Sequence, residues 1–279
     1  MTPCRALIES LIDYAGLFPP SALPMAKAVE LYSRYKSSPE GWILGRFVVP
    51  VARLDEFEAY APANAGWRLS VLAGANLEAD LERIARFRRM NIDVIEIKAS
   101  DAAQIESAAR RLPNGLTPYF EVSDVALIET IGRAGARAKI RTGGITPEAF
   151  PEAGHIARFI GACARSGTPF KATAGLHHPL RCYRALTYSS GGPSGWMYGF
   201  LNVFFAAVLA RMGLAEADTI PLLLEESIEA FSFGDGSITW RGHAATTNDI
   251  AAARSGFAIS FGSCSFEEPV NDLRALHLL

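Results

Sequence analysis

Short apolar, β-like runs alternate with helical stretches along most of this chain, and that alternation restricts its fold more than any other feature. Six runs follow one another at residues 43–50, 68–73, 94–99, 117–122, 137–142 and 169–174, and two more lie at 238–241 and 258–261. Between them, helical spacing recurs at 76–90, where Leu77, Leu81 and Ile84 share a face, and at 102–112 and 124–134. Thr146-Pro147-Glu148 has the cap-then-proline signature of a helix start, and that helix is predicted to run to about residue 164. Further helices are predicted at 247–255 and 267–276. Strands that alternate with helices are joined by crossovers and therefore run parallel. Eight such units close into a (β/α)8 TIM-type barrel, and 279 residues suit one such domain over 1–279. An open doubly wound sheet would show G-x-G-x-x-G after its first strand, and none is present.

Two segments break the rhythm. Residues 1–40 read as an N-terminal helical segment, with helices at 4–13 and 25–36 split at Gly16, Pro19 and Pro20. It is predicted to pack across one end of the barrel. A loop insertion at 176–200 and two helices after it (200–212 and 219–230) separate the sixth and seventh runs. Both segments are rich in Gly, Pro and aromatic residues (Tyr14, Phe18, Trp196, Tyr198), which suits lids that exclude water.

Composition narrows the function. Hydrophobic residues make up 49% and charged residues 20%, an ordinary globular balance that excludes disorder. A net charge of −2 offers no basic surface to nucleic acid, and no apolar stretch is long enough to span a membrane. The first residues read as an amphipathic helix, not a secretory signal. Cys4, Cys163, Cys182 and Cys264 form no CxxC pair and read as free thiols of a cytoplasmic protein. The expected partner is a small anionic molecule, with no cofactor, nucleic acid or membrane, and homo-oligomeric assembly is compatible with this reading.

Only five of the 27 basic residues are lysine, and three of the five sit inside β-like runs. Alternate residues of a barrel strand point inward, so Glu96 with Lys98, Tyr119 with Glu121, Lys139 with Arg141, and Lys171 with Thr173 each share an inward face. Barrel interiors are normally filled with branched apolar side chains, and burying charge is costly unless it is paired. A set of this size facing one cavity is therefore read as a functional site, against the alternative of a structural salt-bridge network. Its four cations against Glu96 and Glu121 call for an anionic ligand. Gly143-Gly144 and Gly175 follow two of the strands and would let backbone N–H groups approach an anion. Ser263, in the run Gly262-Ser263-Cys264-Ser265, and the pair His177-His178 are further candidates for ligand contact. A metal site would have to draw on Glu96, Glu121 and His177 or His178, but no metal-binding spacing is present, so none is assigned. His243 is placed at a strand end, and Cys264 is either a nucleophile beside a loop, for which the sequence offers no local partner, or a small packed thiol, the reading preferred here.

The runs Lys139-Ile140-Arg141-Thr142-Gly143 and Lys171-Ala172-Thr173-Ala174-Gly175 resemble those of class I aldolases of the deoxyribose-phosphate aldolase type. That family carries one lysine in a K-x-S-T-G run and a second in a K-A-S-G-G-like run about thirty residues on; here they are 32 apart. Arg141 stands where the family has serine, and the matched stretch spans about forty residues. By count of the runs, the lysines fall on strands five and six, whereas the family carries them on six and seven. The resemblance implies a Schiff-base lyase in which Lys139 is the nucleophile and Lys171 lowers its pKa, since neighbouring cations disfavour each other's charged form. Glu121 or Tyr119 would then move the proton and Arg141 would hold the substrate's anionic end. Two readings stand beside it: a metal-dependent lyase or isomerase, and a barrel that binds a small molecule without transforming it.

Overall fold

The computed structural model of the chain describes residues 1–62 and 66–279. Seven strands follow in order: β1 (Ile12–Tyr14), β2 (Leu44–Pro50), β3 (Arg68–Leu72), β4 (Asn91–Lys98), β5 (Thr117–Glu121), β6 (Arg137–Arg141) and β7 (Phe170–Thr173). After them come a hairpin of β8 (Cys182–Ala185) and β9 (Ser194–Met197), and a three-stranded sheet of β10 (Phe231–Phe233), β11 (Ser237–Trp240) and β12 (His243–Thr246). The last strand is β13 (Ala258–Ser263). β1 to β7 and β13 form a closed barrel of parallel strands in which β13 lies between β7 and β1. The fold is thus the expected α/β barrel, with helices between most of the strands.

Two of its strands differ from the sequence expectation. The helix predicted over 4–13 ends at Ile8, and Ser10 turns the chain with a φ of 49°. Ile12-Asp13-Tyr14 then pairs with β2 on one side and β13 on the other. A three-residue strand buried throughout has the same apolar look as the end of a buried helix, and spacing does not separate the two. Residues 1–40 therefore do not simply pack across one end; they supply a stave of the barrel. Conversely, the run at 238–241 is no stave. It is β11, hydrogen-bonded antiparallel to β10 and β12 outside the barrel. Arg241 and Gly242, with φ of 44° and 85°, make the two-residue turn that joins β11 to β12, so His243 sits in this outer sheet and not at a barrel strand end.

The insertion is accordingly between the seventh and eighth barrel strands. It begins after β7 and reaches residue 257, beyond the 176–200 expected. Its main element is the helix Phe200–Arg211, buried at every position from Phe200 to Ala210. An all-apolar helix needs cover on every side, and the helices Ala153–Ser166, Glu216–Leu223 and Thr247–Gly256 provide it. Asn202 is the polar exception, and its amide donates to the carbonyls of Leu222 and Glu225 at 2.8 and 2.9 Å. The helix predicted from Thr146 is broken by Pro151: a single turn at Pro147–Ala149 precedes the true helix Ala153–Ser166.

Arg254 closes the seam between the chain's two ends. Its buried guanidinium donates to the carbonyls of Leu7 at 2.7 Å, Glu9 at 3.0 Å and Ile259 at 2.5 Å, and to that of Ala258. The strands' outward faces (Phe47, Val71, Ile95, Phe120, Ile140, Ala172, Phe261) join the apolar core. Their inward faces do not, and they form the site described next.

Candidate active site

The inward side chains meet as a row of alternating charges across the barrel interior. Lys171 Nζ donates to Asp13 Oδ2 at 2.7 Å and to Glu96 Oε1 at 2.6 Å. Lys139 Nζ lies 2.6 Å from Glu96 Oε2 and 2.6 Å from Glu121 Oε2. Arg141 reaches Glu121 at 3.4 Å. The row runs Asp13, Lys171, Glu96, Lys139, Glu121, Arg141, from a closed interior toward the C-terminal ends of the strands. Lys139 and Lys171 are register partners on β6 and β7, so one carboxylate from β4 reaches both. Hydroxyls complete the shell: Ser70 donates to Glu96 at 2.6 Å and Ser260 to Asp13 at 2.8 Å, while the Arg46 backbone N–H donates to Asp13 at 2.8 Å.

These contacts set the protonation states. Burial would raise the Glu96 carboxyl, but the ammonium groups of Lys139 and Lys171 outweigh it and hold it well below the usual carboxylate range. Burial would lower Lys171, but Asp13 and Glu96 outweigh it and push the lysine above its ordinary value. Burial opposes the Glu121 carboxylate as well, and Lys139, Arg141 and Lys98 together lower it. Asp13 also changes the charge balance. The four cations Lys98, Lys139, Arg141 and Lys171 face three carboxylates, so the excess is one positive charge and not two.

Above the row lies a cavity of about 490 Å³. Glu96 and Lys139 line it at the bottom of the strand ends; Glu121, Thr173, Lys98 and Arg141 line it above them. Lys98 is exposed and makes no ion pair among the described residues. Phe18, Pro19 and Pro20 of the N-terminal break line the same cavity, as that segment was expected to do. Residues 190–197 do not: Trp196 is exposed, on the outer hairpin, under the guanidinium of Arg181 at 3.8 Å. Gly143 and Gly144 line the cavity too, yet the Gly143 requirement is one of packing. A Cβ there would lie 2.3 Å from the Phe150 ring, and Gly143 also sits against Gly175 of the neighbouring loop.

The remaining candidates separate. His177 lines the cavity, whereas His178 turns away and pairs with Asp272 at 2.6 Å. Ser263 is buried, and its hydroxyl accepts from the Ser265 N–H at 3.3 Å. Lys171 is fully enclosed behind Lys139 and does not reach the cavity. The proposed metal ligands do not converge: Glu96 and Glu121 are engaged by ammonium groups and the histidines by other acids. Among the described residues no three such side chains are placed to hold one metal ion.

Asp13 and Glu268 escaped the sequence reading, and Cys264 was passed over there for want of a local partner. Asp13 lay hidden in the apolar run Leu11-Ile12-Asp13-Tyr14. Cys264 and Glu268 belong to a group formed only by folding. His177 Nε2 faces Cys264 Sγ at 3.9 Å, and His177 Nδ1 faces Glu268 Oε2 at 2.8 Å. Tyr188 donates its hydroxyl to the same carboxylate oxygen at 2.9 Å. No known family and no curated protein matches the chain. Among solved structures it is similar to a mutant of FabK from Thermotoga maritima, at 12% identity and a TM-score of 0.46, over 100% of this chain and 97% of that one. A likeness that distant has no bearing on what this chain does.

Proposed function

We propose that this barrel is an enzyme that forms an imine between Lys139 and a small carbonyl compound bearing a carboxylate or phosphate, and makes or breaks a carbon–carbon bond beside it. The observation that carries the reading is the position of Lys139. It is the buried amine that faces the cavity, it touches the carboxylate of Glu121, and it has a second lysine in register behind it. The strand count adds support. With β1 included, Lys139 and Lys171 stand on the sixth and seventh barrel strands, where the aldolases they resemble carry their lysines.

Each neighbour has a task in this chemistry. Lys98 and Arg141 hold the anionic end at the mouth, Arg141 through its planar fork. Lys171, kept charged by Asp13 and Glu96, is a fixed cation beside the amine and shares the Glu96 carboxylate with it. Lys139 gives a proton to Glu121 and adds to the carbonyl, the proton returns to the carbinolamine oxygen, which leaves as water, and the resulting iminium takes the ammonium's place beside Glu96 and Glu121. Glu121 takes or returns the proton at the adjacent carbon. Phe18, Pro19 and Pro20 limit water at the mouth.

Borohydride trapping tests this. Incubation with a panel of small aldehydes and 2-oxo acids, followed by reduction and peptide mass mapping, is expected to give one stoichiometric adduct on Lys139, absent in Lys139→Met. Adducts spread over Lys27 and Lys36, or no adduct with any carbonyl compound that binds, would overturn the proposal. Tight binding without any chemical change would instead make the barrel a receptor for the same ligand.

A further inference from the structure

The loops that follow β7 and β13 bring a second set of reactive groups to the same cavity. We propose that Cys264, His177 and Glu268 form a thiol nucleophile that captures small aldehydes as hemithioacetals. The paired thiol rests on the geometry of these loops, and the aldehyde as its ligand rests on the reading of Lys139 as a carbonyl-binding amine.

Three observations support it. The imidazole is held from both sides, by the Glu268 carboxylate at Nδ1 and the Cys264 thiol at Nε2, so its orientation is fixed. The carboxylate is itself held, by the Tyr188 hydroxyl at 2.9 Å. Ser21, from the N-terminal break, donates to the Cys264 carbonyl at 3.1 Å and ties the loop in place. Secondly, both Cys264 and His177 line the cavity, so the thiol faces space that a ligand can enter. Thirdly, the other three cysteines behave differently. Burial pushes Cys4 and Cys182 up to about 11, and Cys163 higher still, as expected of thiols withdrawn from water. Burial acts on Cys264 too, but the hydrogen bond and charge of His177 outweigh it and bring the thiol below its ordinary value. His177 moves the opposite way: burial would lower it, but Cys264 and Glu268 raise it to about 9. The two opposite shifts favour a thiolate beside an imidazolium. A small packed thiol, the reading from sequence, would have no such partner.

The chemistry balances without any other reactant. The thiolate sulfur adds to the aldehyde carbon and a C–S bond forms. The carbonyl π pair moves to oxygen, which takes the proton from the His177 imidazolium. The reverse step returns both groups unchanged.

Alkylation of the full-length protein tests the thiolate directly and needs no variant. Iodoacetamide labelling, mapped by peptide mass, is expected to modify Cys264 at least about tenfold faster than Cys182 at neutral pH, with a rate that persists below the ordinary thiol range of about 8.5. His177→Gln and Glu268→Gln are expected to slow Cys264 labelling by about tenfold and move its pH profile toward that range. Carbon-13 glyoxylate added to the Lys139→Met protein is expected to give a hemithioacetal carbon signal that is lost in Cys264→Ser. A Cys264 rate that follows an ordinary thiol profile would overturn the thiolate. Fast alkylation with no hemithioacetal signal would overturn the aldehyde assignment, whatever the outcome of borohydride trapping at Lys139.

Discussion

Glu96 is the residue on which the interior charge row turns. It accepts from Ser70, Lys139 and Lys171, so its two oxygens serve three donors. Glu96→Gln would leave both buried ammonium groups with one carboxylate fewer. Breaking a buried ion pair by removing one partner costs about 3–5 kcal/mol, and a loss of that size is expected in denaturant unfolding. The pH dependence follows from the direction of the shift. The folded carboxyl is held below its ordinary value of 4.5, so its contribution is complete above that pH and is lost as the pH falls toward the folded value. The thermal midpoint of the native protein should therefore fall on acidification below 4.5, and Glu96→Gln should flatten that limb. An acid limb unchanged in the variant would show that other carboxylates govern it. Glu96, Lys139, Glu121 and Lys171 were legible in the sequence because a strand alternates faces, and polar side chains two apart in an apolar run share one. Asp13 was not legible, since its run is only three residues long and has apolar neighbours at helical as well as strand spacing. Nor was the Cys264–His177 contact, because 87 residues separate the two and only closure of the barrel brings them together.

Among the elements, the shortest strand has the largest topological duty. β1 joins β2 to β13 through three residues, and its flanking bonds are Phe261 N–H to Leu11 O at 2.9 Å and Ala15 N–H to Ser263 O at 2.6 Å. So short a ladder needs outside support, and Arg254 gives it by binding carbonyls before β1 and at the start of β13. Arg254→Ala would strand several buried acceptors at once. We expect a loss of about 3–5 kcal/mol, with hydrogen exchange at Phe261 and Ala15 accelerated more than exchange in β4. Uniform acceleration across all strands would mean that the seam is not a separate opening unit. The elements misread from sequence have local causes. β11 matched a barrel strand in length and composition, and only the two-residue turn at Arg241–Gly242 marks it as part of a hairpin. The break before Ala153 was signalled by Pro151, which the capping signature at Thr146 overshadowed.

At the scale of the whole molecule, the interior charges are divided by position along the chain. Every carboxylate that touches Lys139 or Lys171 comes from β1, β4 or β5, and the two lysines come from β6 and β7. A cut after Gly135 would thus give one fragment with the acids and one with the lysines. Neither can neutralise its own interior, and self-association of either would bury like charges together. Fragments 1–135 and 136–279 are expected to lack cooperative unfolding alone and to regain it when mixed, at a rate that falls with added salt. A stable homodimer of either fragment would argue against this. The same division has a consequence for synthesis. A ribosome delivers Asp13, Glu96 and Glu121 before the first ammonium that could receive them, so these carboxylates must stay hydrated while more than a hundred residues are added to the chain after Asp13. The N-terminal half then has an electrostatic reason to remain open, and Lys171, which reaches both Asp13 and Glu96, is the residue whose arrival lets the water leave.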